Sequence, residues 1–164
     1  MALDHDEKPS QPLAKFESML KTDDIYFFDA EDFEDIIHFY LNHGKIALAK
    51  KAIKIGLLQH PDSIELKLLN VEVLVFENKL EIAERMLDDL EFLDASNEEI
   101  YIQRANIYSK KDNHEAAVAL LNKALDLTDD GFDIHSLLGM EYLFMDNYEL
   151  AKDNFIKCVD FDPE

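Results

Sequence analysis

Few side chains in this sequence combine the type and spacing that reaction chemistry needs. Six histidines are scattered, and His38 and His43 stand five apart where a shared metal on one helix face needs four. Asp126, Thr128, Asp130 and Gly131 fit the start of a calcium loop, but the position of the closing bidentate Glu holds Leu137. An ordinary turn is the expectation there. Cys158 is the one cysteine, which excludes an internal disulfide and fits a reducing compartment. No G-x-S-x-G, Walker loop, H-E-x-x-H or cysteine pair occurs. The expectation is therefore a chain that is not an enzyme and uses no cofactor and no metal.

Acidic groups are the chemistry this chain has in quantity. Its 164 residues carry 36 Asp and Glu against 16 Lys and Arg, a formal charge of −20. That charge repels phosphate backbones and anionic headgroups, so nucleic acid and membrane surfaces are excluded as partners. The N-terminus, Met1 to Glu7, is acidic and has no apolar core of a signal peptide, and no stretch approaches 18 uncharged apolar residues. A cytoplasmic location is expected. At this length roughly 70% of the unfolded surface can be buried, enough for a core without disulfides or metals.

The elements that position these groups follow from an internal repeat, visible when the sequence is slid along itself by 34 residues. Ala49, Ala83, Ala117 and Ala151 form one column. Tyr40, Leu74, Tyr108 and Tyr142 form a second, Ile37, Val71, Ala105 and Gly139 a third, and Ile53, Leu87, Leu121 and Phe155 a fourth. Within a copy the apolar residues recur at helical spacing twice, as in Phe33, Ile36, Ile37, Tyr40 and then Ile46, Ala49, Ile53, Leu57. Between the two runs Gly44, Asn78, Asp112 and Asp146 share a column, the residue types that tolerate the left-handed backbone ending a helix. Asp29, Ser63 and Asn97 stand where first helices need N-caps, and Pro61 and Pro163 close their copies. Small alanines let the two helices of a copy cross closely, and stacking of copies supplies the core that one hairpin lacks.

On these columns the chain resembles the tetratricopeptide repeat family, of bacterial type, in four tandem 34-residue copies. The fourth copy matches through His135, Leu138, Gly139, Tyr142, Ala151, Phe155, Cys158 and Pro163, and the first through Phe33, Ile36, Ile37, Tyr40, Ala49, Ile53, Gly56 and Pro61. Asn70 and Arg104 depart from the family's Leu, Lys67 and His135 from its early aromatic, Ala95 and Asp129 from its Pro. The resemblance implies an all-α fold, a right-handed superhelical solenoid of stacked antiparallel helix pairs. It divides the chain into an acidic segment 1–29 with one capping helix at about 12–22, and copies at 30–63, 64–97, 98–131 and 132–164. Together these are expected to form one structural domain, part of a longer chain. Leu13, Phe16 and Leu20 give the capping helix its apolar face, and the residues before about Gln11 are expected to fray. Cys158 shares its column with Gly56 and Ala124 and reads as buried packing.

The same resemblance places a groove for a peptide or helix on the first helices of successive copies. Its lining would be Glu31, Glu34, His38 and Leu41 in copy one, and Glu65, Leu68, Glu72, Val75 and Phe76 in copy two. Copies three and four would add Glu99, Ile102, Asn106 and Lys110, then Asp133, Ser136, Met140, Leu143 and Phe144. Glu31, Glu65, Glu99 and Asp133 form a wholly acidic column, read either as a stripe that receives Lys or Arg of a partner or as first-turn acids complementing the helix dipole. The family's clamp for acidic tails needs Lys and Arg with Asn, and of that set Asn106 alone stands here.

The implied function is a non-catalytic protein-interaction module or scaffold whose partner is a basic protein segment with apolar anchors. The alternatives are a structural spacer or self-assembling solenoid, and the regulatory arm of a larger protein whose activity lies beyond residue 164. At the far end Ile156, Val159 and Phe161 form an apolar face with no capping helix after it. That face is expected to continue into further repeats or to form a homodimer.

Overall fold

The computed structural model describes residues 10–160. Phe161, Pro163 and the residues expected to fray before Ser10 lie outside them.

Among the described residues there are nine α-helices and no strand. They are α1 (Gln11–Lys21), α2 (Ala30–Asn42), α3 (Ile46–Gln59), α4 (Ile64–Phe76), α5 (Leu80–Leu93), α6 (Glu98–Lys110), α7 (His114–Leu127), α8 (Phe132–Phe144) and α9 (Tyr148–Asp160). First helices begin at 30, 64, 98 and 132 and second helices at 46, 80, 114 and 148, each 34 apart. The turn column explains this regularity. Gly44, Asn78, Asp112 and Asp146 all adopt positive φ, 68°, 61°, 58° and 56°, so each first helix ends in the same left-handed residue. Lys45, Lys79, Asn113 and Asn147 then donate their backbone N–H to the carbonyl of the column-two residue, as in Lys45 to Tyr40 at 2.8 Å. All four column alanines are buried.

The chain divides into two compact units after Asn70, inside α4. In the first, Phe16 of α1 lies among Phe28, Phe33 and Tyr40, with ring centroids 6.2, 6.4 and 6.2 Å away. Leu13, Phe16 and Met19 form the buried stripe of α1, whereas Leu20 faces solvent. Met19 takes the place expected for Leu20 because the helix rotates its 13, 16, 19 row inward. The backbone between α1 and α2 is extended and is held by the end of α3. Phe28 N–H donates to Gln59 Oε1 at 3.0 Å, Gln59 Nε2 donates to the Tyr26 carbonyl at 2.8 Å, and the His60 ring bonds the Phe28 carbonyl at 2.6 Å. Gly56 is small for a reason, since a Cβ there would meet Phe33 Cγ at 3.1 Å.

In the second unit the cluster Tyr101, Ala105, Ala117, Leu121, Ala124, Ile134 and Leu138 joins α6, α7 and α8. Two departures from the family pattern are absorbed by polar bonds. Arg104 reaches Asp88 Oδ1 at 2.7 Å and Glu91 Oε2 at 2.9 Å on α5. His135, buried at the start of α8, bonds Asn154 Oδ1 at 3.0 Å, and Asn154 Nδ2 donates to the Leu150 carbonyl at 2.8 Å. Ser63 and Asn97 cap α4 and α6, accepting from Leu66 N–H at 3.2 Å and Glu99 N–H at 3.1 Å. Asp29 stands at the N-cap of α2, but its side chain makes no capping bond, contrary to expectation. In the turn that resembles the start of a calcium loop, Thr128 Oγ1 accepts from Asp130 N–H and Asp130 Oδ1 from Phe132 N–H, so both oxygens serve the turn itself.

Candidate functional site

The acidic column lies in the first turns of α2, α4, α6 and α8. In the first unit, burial raises the pKa of the Glu34 carboxyl above its ordinary value, and the negative charges of Glu65 and Glu31 push it further. His38 acts in the opposite direction. The Glu34 carboxyl thus lies within electrostatic reach of Glu31 and Glu65. Glu31, Glu65 and His38 are exposed and Leu41 is half-buried. Leu68, expected on this face, is only 6% exposed.

The second unit repeats the pattern with more apolar surface. Burial raises the Glu99 carboxyl, the bond from Gln103 Nε2 at 2.8 Å opposes the rise, and Glu72, Glu98 and Asp133 add to it. The charges of Glu72 on α4 and Asp133 on α8 thus act through space on Glu99 of α6. Ile102 and Asn106 follow along α6, both half-buried. Lys110, at the end of α6, donates through Nζ to the Val75 carbonyl at 2.5 Å and the Phe76 carbonyl at 3.3 Å. It thereby adds a donor to the last carbonyls of α4, beside the Asn78 N–H that already bonds the Val75 carbonyl at 3.0 Å. Val75 itself is 4% exposed, while Phe76 next to it is 66% exposed.

Burial of Leu68 and Val75 corrects their place in the expected lining. The helix α4 is apolar around most of its circumference, with Leu66, Leu68, Leu69, Val71, Val73 and Val75 all buried, so these two side chains pack and do not face a ligand. Of the apolar residues expected in the lining, Phe76, Met140, Leu143 and Phe144 are exposed, and Leu143 borders a cleft with Tyr148, Phe155, Ile156 and Val159 of α9. Phe144 is positioned by a residue the sequence did not mark. His114, first in α7, stacks on its ring at 5.0 Å between centroids and bonds Glu141 Oε2 through Nδ1 at 2.7 Å. Glu141 is buried on α8, so the ring is fixed from behind by an interaction 27 residues apart in sequence. Only its place at the start of a second helix could have drawn attention to His114.

Cys158 is half-buried, not buried as its column suggested. Its Sγ lies 3.4 Å from the Phe132 carbonyl, and burial followed by the Asp133 charge raises the thiol pKa. Both effects keep it protonated and unreactive. Among the described residues no group of three or more His, Cys, Asp and Glu is arranged to hold a metal ion, and no helix is long and apolar enough to cross a membrane.

Comparison with known proteins places this geometry. The family model for the tetratricopeptide repeat matches residues 98–130 and 132–164. No curated protein matches the sequence significantly. Among solved structures, a thermophilic TPR protein of Thermus thermophilus is similar with a TM-score of 0.72 and 24% identity, over 90% of this chain and 80% of that one. MamA from Desulfovibrio magneticus RS-1 gives a TM-score of 0.58 and 19% identity over 80% and 75% of the two chains. The pilF protein of Pseudomonas aeruginosa gives 0.64 and 19% over 81% and 61%. At these identities the likeness is one of fold, and the fold is the all-α tetratricopeptide solenoid.

Proposed function

Because this chain is a tetratricopeptide-repeat protein, we propose that it is a non-catalytic binding module whose ligand is a protein segment carrying Lys or Arg between apolar anchors. The observation that supports this most is that the charges of Glu72 and Asp133 act on Glu99 from neighbouring first helices, while Phe76, Met140, Leu143 and Phe144 on two of those same helices are exposed. Glu99, whose neighbours already disfavour its charge, gains when a cation arrives, since the cation relieves repulsion as well as forming its own pair. The apolar groups supply most of the affinity and the acids supply association rate and choice of partner. Lys110 does not compete for the acids, because α4's carbonyls hold its ammonium. The proposed location is the cytoplasm, where a free thiol persists.

Selection from a random peptide library against the intact chain tests the reading. Basic motifs with spaced apolar residues, mapped by NMR to α6 and α8, are the expected result. Acidic motifs, or shifts confined to second helices, would contradict it.

A further inference from the structure

The charge of this chain is unevenly spread. Between Asp35 and Asp62 lie four lysines, three histidines and no carboxylate, in a sequence with 36 acids. This stretch includes all of α3, whose Lys50, Lys51 and Lys54 are exposed. With Ile53, Leu57 and Leu58 these lysines line a cleft of about 510 Å³. Among the described residues no carboxylate pairs with Lys51 or Lys54. Leu58, 76% exposed, also borders a second apolar cleft that contains Ile25 and the 83%-exposed Phe27. Exposed apolar groups gathered in this way mark a contact surface.

The complementary chemistry stands on the same chain. Residues 84–99 hold seven acids and one arginine. There the last turn of α5 presents Phe92, 92% exposed, and Leu93, with Asp89 and Asp94 on either side in sequence. Phe92 occupies in its copy the position that Leu58 occupies in the copy before, 34 residues earlier. One repeat position thus carries an apolar group in basic surroundings in copy one and in acidic surroundings in copy two.

We propose that the α3 cleft receives the acidic end of α5 from a second copy of this chain. Phe92 enters between the lysine stems and Leu58, and Asp89 and Asp94 meet Lys51 and Lys54. Each chain carries both halves of the contact, so association needs no other partner. An anionic lipid surface also attracts lysines set among apolar groups, but Asp23 and Asp24 border the adjoining cleft and the net charge of −20 opposes it. The same net charge makes two chains repel at long range, while the local pairs attract at short range. With a Debye length of about 8 Å in physiological salt the local pairs prevail. Association is therefore weak at very low ionic strength, strongest near physiological salt and weak again in molar salt. None of these contact residues belongs to a first helix, so this inference and the proposed function fail independently.

Sedimentation velocity of the intact chain in physiological salt tests it. The mass is expected to rise with concentration from the 19.0 kDa protomer to twice that value and beyond, because a head-to-tail contact leaves a free cleft and a free α5 end for further copies. Lys51→Glu with Lys54→Glu in one chain, and Asp89→Lys with Asp94→Lys in another, each abolish the rise, and an equimolar mixture of the two variants restores it. Phe92→Ser weakens association at least tenfold. Circular dichroism and thermal midpoints of these surface variants stay at the parent's values, which separates lost contact from lost fold. A parent that remains a protomer at every soluble concentration overturns the proposal. So does association indifferent to both charge variants but lost on Ile156→Lys with Val159→Lys, or binding of Lys51 and Lys54 to anionic vesicles without self-association.

Discussion

The Phe155 ring fills the space that a side chain on Gly139 would need: a Cβ built on Gly139 lies 2.5 Å from Phe155 Cε1 and 2.7 Å from Cζ. The two residues belong to columns in which the other copies hold Ile37, Val71 and Ala105 against Ile53, Leu87 and Leu121. Copy four has moved volume from one helix to the other while keeping the crossing close. Gly139→Ala is therefore expected to cost about 1–3 kcal/mol through overpacking. Adding Phe155→Leu should recover most of that loss. Equilibrium denaturation of the two single variants and the double variant measures the coupling, and strict additivity would show that the two side chains do not share this space.

The turn column allows backbone strain to be separated from packing. Gly44 has φ 68° and nothing within 4 Å of where a Cβ would stand. Gly44→Ala thus isolates the cost of the left-handed backbone, about 1 kcal/mol. Asp112→Gly at φ 58° relieves part of that cost and is expected to be neutral or slightly stabilising. Urea midpoints of the two variants should move in opposite directions or leave Asp112→Gly unmoved; a fall for both would point to a role of the Asp112 side chain.

Glu99 makes stability depend on pH with a definite sign. Its folded pKa is raised, chiefly by burial and then by neighbouring acids against the Gln103 bond, so the folded protein binds this proton more tightly than the unfolded chain. Its contribution is full below the ordinary carboxylate value and is lost as pH rises through the raised one. Glu99→Gln keeps an acceptor for Gln103, removes this pH dependence and raises the thermal midpoint at neutral pH. Parallel midpoint-against-pH curves for parent and variant would refute the assignment.

For ligand binding, Phe76→Ala is expected to cost more affinity than Glu99→Gln or Glu65→Gln, because an exposed aromatic group acts as an anchor while charges chiefly set association rate and choice of partner. Raising salt should slow association and leave dissociation nearly unchanged. Surface plasmon resonance with a selected peptide separates the two rates. A larger loss from either Glu variant would reverse the division of labour between charge and apolar contact.

Much of the repeat was legible because its signals are local. A left-handed turn residue, a small residue at a helix crossing and an N-cap each declare themselves within a few positions, and Gly44, Ala83 and Asn97 stand where the sequence put them. The groove was less legible. In α4 apolar residues surround the helix, so no polar face tells which of Leu68, Val75 and Phe76 reaches solvent. The same ambiguity between neighbouring apolar residues exchanged Met19 for Leu20 on α1. Contacts such as His114 with Glu141 join residues far apart in sequence and leave no periodic trace. The lysine stretch from 36 to 61 was visible as a gap in the acids, a signal hidden beneath the chain's total charge.

The clasp between α3 and the extended backbone before α2 sets a timing for synthesis. Gln59 is 31 residues beyond Phe28 and His60 is 32 residues beyond it. At about 5–20 residues per second, α1 and its following segment wait about 2–6 s for the groups that fasten them. During that interval Phe16 and Phe28 have emerged without the hairpin of α2 and α3 that finally covers them. Each part of this clasp is thus made well before the groups that fasten it, and the apolar stripe of α1 stays uncovered for as long as α3 is incomplete.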